Sequence, residues 1–286
     1  MRVVICGAAG QLGTDLVQVF EAEGEEVFGF DLDLDITDHD LVMEKIPSLE
    51  PDLLINSAAD LNADQAERDP EPSLKTNFTG TQNLVLACLK AGCPMAFISS
   101  DYVFDGKKGE AYNELDEPNP QGVYGKAKLA SERYMASTLP RYYIFRTQWL
   151  FGKAGKRNFV KSILRNAKEK GSLRVVTDEV GTPTYTGDLA EIIYRVCTSD
   201  WHGLYHATNE GECSRFEFAK QIIDIAGFED VPVEPIVYAD LDLPCPRPPY
   251  SPLDNMNLRL QGFPPARNYM EPLREYIEWL QSNDAI

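Results

Sequence analysis

The sequence predicts an α/β protein built on a doubly wound parallel sheet, with a smaller, irregular lobe in its C-terminal half. Three observations carry this. Short apolar runs alternate with amphipathic segments as far as Thr147, the pattern of parallel strands covered by helices on both faces. Three glycines stand directly behind the first apolar run. Prolines then crowd residues 231–272, around LPCPRPPYSPLDN, where neither a regular helix nor a central strand can continue.

The elements follow in order. RVVICG reads as the first strand, QLGTDLVQVFEAEG as a helix and EVFGFD as the second strand. HDLVMEKIPSLEP is a helix and DLLINSAA the third strand. EPSLKTNFTGTQNLVLACLKAG reads as one long helix stopped by a glycine, and PMAFISS as a strand. VYGKAKLASE, rich in helix formers, opens a helix ahead of the strand RYYIFRT. Each crossover between parallel strands is expected to be right-handed. Beyond Thr147, NFVKSILRNAKEKG is helical and SLRVVTD strand-like; YTGDLAEIIYRVCTS is helical and GLYHAT a short strand. SRFEFAKQIIDIAG is a helix capped by Ser214, and MEPLREYIEWLQS an amphipathic closing helix. The expected organisation is a core domain over 1–150, to which 180–230 partly returns. Residues 151–180 and 231–272 form the second lobe, and 273–286 the C-terminal helix.

Composition narrows the function classes. At 43% hydrophobic and 25% charged residues the chain is of globular type. No apolar run approaches the roughly 20 residues that span a bilayer, and the start of the chain lacks a signal-peptide layout. A cytoplasmic protein without a membrane partner is expected. A formal net charge of −18 argues against a nucleic-acid partner, which needs concentrated Lys and Arg. An anionic ligand would have to be held by helix N-termini and a few local cations. The cysteines Cys6, Cys88, Cys93, Cys197, Cys213 and Cys245 show no C-x-x-C spacing and read as reduced structural thiols. His202 and His206 lack accompanying carboxylates or cysteines and read as structural.

GAAGQLG places Gly7, Gly10 and Gly13 between the first strand and the first helix. Glycine there permits a tight turn and close backbone approach, and the helix N-terminus offers free N–H groups to a pyrophosphate. In a βαβ unit this spacing makes a Rossmann-type dinucleotide site the favoured reading. Asp31 ends the second strand, 18 residues after Gly13. A carboxylate there accepts hydrogen bonds from the adenosine ribose and repels a 2′-phosphate, so NAD(H) is favoured and NADP(H) is the alternative. Asp33 and Asp35 compete with a plain solvated loop.

Tyr124 and Lys128 stand four apart, on one face of a helix. Alone, they read as ordinary helix decoration. The glycine spacing and the Tyr-x-x-x-Lys pair together resemble the extended branch of the short-chain dehydrogenase/reductase superfamily, and the likeness runs end to end. It implies that Ser100, in ISSDYVFDG, completes a catalytic set with Tyr124 and Lys128. It implies that Gly7, Gly10, Gln11, Leu12 and Gly13 hold the cofactor with Asp31, Asp35 and Ile36. Ala58, Ala59, Asn77, Ile98, Tyr124 and Lys128 complete that cofactor set. Reduction of a ketone needs a proton for oxygen as hydride reaches carbon. A tyrosine beside an ammonium group, which favours the phenolate, suits that exchange. A serine can stabilise the developing oxyanion.

Within the superfamily the chain most resembles the dTDP-4-dehydrorhamnose reductase family, through LINSAAD, SSDYVFDG, NPQGVYGKAKLASE, YYIFRTQWLFG, DEVGTPTYTGDLA and CPRPPYSPLDN. This implies reduction of a 4-keto-6-deoxy sugar on a nucleoside diphosphate, with Ser100, Asp101, Trp149 and Arg247 at the substrate. It also implies a homodimer. Asp60, Leu61 and Asn62 depart from the family's usual residues after the third strand, and Gln148 stands where Ser or Ala is usual. Asp15, Asp188 and Glu278 fall near positions that bind magnesium in some members, but no metal is expected here. Two alternatives stay open. One is an NAD-dependent nucleotide-sugar epimerase or dehydratase, although dehydratases add a Glu where Asp101 stands. The other is a non-catalytic regulatory subunit like that of methionine adenosyltransferase, which resembles the same reductases.

Overall fold

The structure, a computed structural model, describes residues 1–155 and 157–283. Its main sheet contains β1 (Arg2–Cys6), β2 (Glu26–Phe30), β3 (Leu53–Asn56), β4 (Met95–Ser100), β5 (Tyr142–Thr147) and the strand Gly203–His206. All pair in parallel, and the spatial order is β2, β1, β3, β4, β5, then Gly203–His206. The order reverses at β1, so β1 and β3, neighbours in space, lead to connections on opposite sides. A crevice opens beyond their C-terminal ends.

Strand alternation sorts side chains between two faces. Val3 and Ile5 join Leu12, Leu16 and Phe20 of helix Gln11–Ala22, together with Leu189, Ile193 and Val196 of helix Thr186–Cys197. Val4 and Cys6 face the other way, against Val42 and Ile46 of helix His39–Ser48 and Leu84, Val85 and Cys88 of helix Thr81–Ala91. These side chains are essentially sealed from water, each worth about 1.5–3 kcal/mol. A second core lies outside the sheet. It gathers Val160, Ile163 and Leu164 of helix Phe159–Lys170, Phe218 and Ile222 of helix Arg215–Ala226, and Leu273, Tyr276 and Ile277 of helix Met270–Ser282. The end of the closing helix expected at 284–286 lies outside the described residues.

Three local features differ from expectation. The long helix anticipated over EPSLKTNFTGTQNLVLACLKAG is split into Pro70–Leu74, a π segment Lys75–Gly80 and Thr81–Ala91. The Asn77 carbonyl accepts from the hydroxyls of Thr81 and Ser131, each at 2.8 Å. That competition displaces the ordinary i→i−4 ladder. A short helix, Ala63–Arg68, forms where no element was anticipated, because the Asn62 side chain accepts from Gln65 N at 3.1 Å and caps it. The proline-rich stretch is irregular but holds a strand, Val233–Ile236, parallel to Leu173–Val176. Pro235 is tolerated there because the pair has only two strands and the proline lies on an edge.

Candidate functional site

A cleft of ≈ 880 Å³ runs along the C-terminal ends of the sheet strands, from Asp31 and Asp35 at one end to Arg215 and Arg247 at the other. Gly7, Gly10, Gln11, Leu12 and Gly13 line its first half. Gly7 has φ +80°, and a Cβ there would lie 2.6 Å from Ala58 N. A Cβ on Gly13 would lie 2.0 Å from Gly7 O. Only glycine lets the turn after β1 fold this tightly onto the segment after β3 and onto the first helix. Gly10 caps that helix without a side-chain hydrogen bond, and no acidic residue stands in its first turn. The uncapped N–H groups and the bare cradle fit a pyrophosphate. Asp31 Oδ2 accepts from Ala9 N at 3.0 Å, which fixes the carboxylate beside the turn. Asp35 is held below the usual carboxylate range by hydrogen bonding from Thr37.

Ile36, Ala58, Ala59 and Ile98 also line the cleft. Asn77 does not. It is 1% exposed and works beneath the wall, where Nδ2 donates to Asp60 O at 2.9 Å and Oδ1 accepts from Asp60 N at 3.0 Å. It thereby fixes the segment containing Asp60, Leu61 and Asn62.

Helix Val123–Thr138 presents Tyr124 and Lys128 to the cleft on one face, and β4 ends in Ser100 on the same wall. Lys128 Nζ donates to Ile98 O at 2.9 Å and lies 4.7 Å from the centre of the Phe97 ring. Burial lowers its pKa to about 8, partly offset by the charge of Glu132. Glu132 continues the same helix face. It forms a buried ion pair with Arg146 at 2.6 Å and accepts from Ser99 Oγ. Tyr124 is pushed upward, chiefly by burial and then by the charge of Asp101, while Ser100 acts the other way. The expectation that Lys128 lowers the tyrosine pKa is therefore not met in this structure: burial outweighs it, and the ammonium is directed at a backbone carbonyl. The phenol is kept protonated, as a proton donor requires.

Asp101 is buried below Ser100. It accepts from Ser100 Oγ at 2.9 Å and from Ser251 Oγ at 2.7 Å. Burial raises its pKa to about 6, against the lowering effect of those bonds and of Arg215. Gln148 is buried and donates from Nε2 to Ser251 O at 2.9 Å, so it ties β5 to the proline-rich segment. Arg247, from that segment, already donates from Nη1 to Tyr102 Oη at 2.6 Å and from Nη2 to Asp64 Oδ2 at 2.7 Å. Trp149 adopts φ +50°, unusual for a bulky residue. The Arg215 guanidinium lies 3.5 Å from the centre of its indole ring.

Arg215, Asp64 and Arg157 also line the cleft, and Ser251 lies behind it against Asp101; Arg215, Asp64 and Ser251 carried no sequence signal, because their partners are far away in the chain. Glu132 could have been anticipated, four residues past Lys128 on the same face. His206 is buried and donates from Nδ1 to Tyr112 O at 2.9 Å, and His202 stacks on Tyr143. Asp15 is buried, Asp188 is paired with Arg267 at 2.9 Å, and Glu278 is exposed on the closing helix. Among the described residues no group of three or more His, Cys, Asp or Glu could hold a metal ion. All six cysteines are free and buried. No helix among the described residues is long and apolar enough to cross a membrane.

Comparison with known proteins is consistent along the whole chain. The profile of the RmlD substrate binding domain family matches residues 1–282. A dTDP-4-dehydrorhamnose reductase of Aggregatibacter actinomycetemcomitans is 37% identical over 293 aligned positions, covering 97% of this chain and 99% of the relative. The crystal structure of a dTDP-4-dehydrorhamnose reductase from Clostridium acetobutylicum superposes with a TM-score of 0.95 at 39% identity, covering 98% of this chain and 100% of that one. That of the Bacillus anthracis reductase, in complex with NADP, gives 0.93 at 36% identity, covering 97% and 99%.

Proposed function

This chain belongs to the RmlD substrate binding domain family, and on that premise we propose that it is an NAD(P)H-dependent reductase of a nucleotide-linked 4-keto-6-deoxy sugar, converting dTDP-4-dehydrorhamnose to dTDP-rhamnose. The observation that carries the reading is the convergence of Ser100, Tyr124 and Lys128 on one wall of the cleft that begins at the glycine turn. When bound, the reduced nicotinamide supplies hydride to the C4 carbonyl carbon. The chain's own residues manage position and charge. Ser100 holds the carbonyl oxygen as charge builds on it, and Tyr124 gives that oxygen its proton. Lys128, mostly protonated at neutral pH, holds the ribose hydroxyls. At rest the Ser100 hydroxyl hydrogen is donated to Asp101, and it turns from that carboxylate to the carbonyl oxygen when the substrate binds. Trp149, Asp101 and Arg247 form the substrate half of the cleft, with residues 151–180 and 231–272 as the substrate lobe.

For the cofactor, the Asp31 carboxylate favours NADH. The NADP bound by the Bacillus anthracis reductase makes NADPH the second candidate, and the ratio of kcat/KM for the two decides between them. The decisive test offers the purified protein NADH or NADPH with a panel of nucleotide 4-keto sugars. One cofactor oxidised per sugar reduced is the expected result. Product without net oxidation would point to an epimerase or dehydratase. Cofactor binding without any turnover would point to a non-catalytic partner protein.

A further inference from the structure

The substrate of the proposed reaction carries a diphosphate, and this chain, with its net charge of −18, has few cations to meet it. Among the described residues four line the cleft: Lys128, Arg157, Arg215 and Arg247. Lys128 donates to the Ile98 carbonyl and is assigned to the cofactor ribose. Arg157 precedes Asn158, whose Nδ2 donates to Gln11 Oε1 at 2.9 Å, which places it at the glycine-turn end. Arg247 has both terminal nitrogens engaged, by Tyr102 and Asp64.

Arg215 differs from all three. Its Nε donates to Glu179 Oε1 at 3.1 Å, and no hydrogen bond to its Nη1 or Nη2 occurs among the described residues. The guanidinium lies against two rings, 3.5 Å from the centre of Trp149 and 4.9 Å from that of Phe159. These contacts fix the plane of the fork and leave its two outer nitrogens to the cleft, the geometry that suits phosphate oxygens. Arg215 acts electrostatically on Asp101 beside Ser100, so it sits at the reaction end rather than the adenosine end. Its place in the chain points the same way. As the first residue of helix Arg215–Ala226 it puts a cation at the positive end of the helix dipole, where stability alone favours an acid.

We propose that Arg215 receives the diphosphate of the nucleotide-sugar substrate, while Arg247 latches the proline-rich segment to Asp64 and Tyr102. This rests on the reductase reading above and adds the residue that recognises the anion. The test compares wild type, Arg215→Gln, Arg215→Lys and Arg247→Gln by titration calorimetry with dTDP, thymidine and the reduced cofactor. Arg215→Gln is expected to weaken dTDP about 10- to 100-fold with thymidine and cofactor nearly unchanged. Arg215→Lys, which keeps the charge but loses the fork, should fall between. Equal losses for dTDP and thymidine would mean that Arg215 merely supports Trp149 and would overturn the proposal, as would unchanged dTDP affinity. If Arg247→Gln, rather than Arg215→Gln, selectively lost dTDP, the assignment would pass to Arg247. A wild-type protein that binds the cofactor but no nucleoside diphosphate, UDP and GDP included, would instead overturn the substrate reading itself.

Discussion

At the scale of single residues, Tyr124 is the side chain on which the chemistry turns. Burial keeps its phenol protonated, and Lys128 lies one turn away with its ammonium 5.8 Å from the ring centre. Tyr124→Phe removes one oxygen without disturbing the edge-on contact to Tyr102. Turnover is expected to fall about 10²- to 10⁴-fold with cofactor affinity unchanged, as measured by steady-state rates and by fluorescence titration of the reduced nicotinamide. Near-normal turnover would remove Tyr124 from the role of acid. The four-residue spacing placed Tyr124 and Lys128 on one helix face, and the resemblance to the reductase superfamily added Ser100 and the catalytic roles. Arg215, Glu179 and Ser251 could not be read from the sequence, since each meets its partner only through the folded lobe. The left-handed backbone of Trp149 gave no sign either, because that conformation is normally signalled by Gly or Asn.

At the scale of elements, the helix carrying the Tyr–Lys pair is seated by its own glycine. A Cβ on Gly125 would lie 2.1 Å from the Tyr102 carbonyl oxygen, so the helix packs directly on the turn that follows Ser100. Gly125→Ala must lift the helix away from that turn. A loss of about 1–3 kcal/mol in urea unfolding, together with a drop in kcat larger than the change in cofactor affinity, is expected. Unchanged stability would mean the two elements can slide apart freely. Most helix and strand positions were legible from periodicity, as was the cap at Ser214, which the structure shows reinforced by Glu217 in a capping box. The π segment Lys75–Gly80 was not legible. It arises because Ser131, 54 residues further along, takes the Asn77 carbonyl, and no local pattern encodes that.

At the scale of the whole molecule, two cores meet along the cleft, and two buried groups give the fold opposite responses to acid. Burial lowers the pKa of His206 to about 3 from an ordinary 6.5. The unfolded chain therefore takes up that proton first, and stability is fully present above about pH 6.5 and lost as pH falls towards 3. Asp101 runs the other way. Its pKa of about 6 against an ordinary 3.8 means stability is gained as pH falls through 6 towards 4. Between about pH 4 and 6 the two oppose each other. Asp101→Asn removes the compensation, so its unfolding free energy should drop about 2 kcal/mol more than that of wild type between pH 7 and 4.5, read by urea denaturation. Parallel pH curves for the two proteins would refute this coupling.

The buried thiols allow opening of the proline-rich segment to be followed over time. Of the six cysteines, five belong to the two faces of the sheet or the second core, and only Cys245 sits in the proline-rich segment, packed against Ala63 and Tyr124. Cys245 is fully buried and burial pushes its thiol up to about 11, so its alkylation in the native protein should require the segment to lift from the catalytic tyrosine, and its rate should count how often that happens. Mass spectrometry after timed exposure to a thiol reagent would show Cys245 labelled faster than the equally buried Cys88 and slowed by nucleotide. Labelling of Cys245 and Cys88 at one common rate would instead report global unfolding.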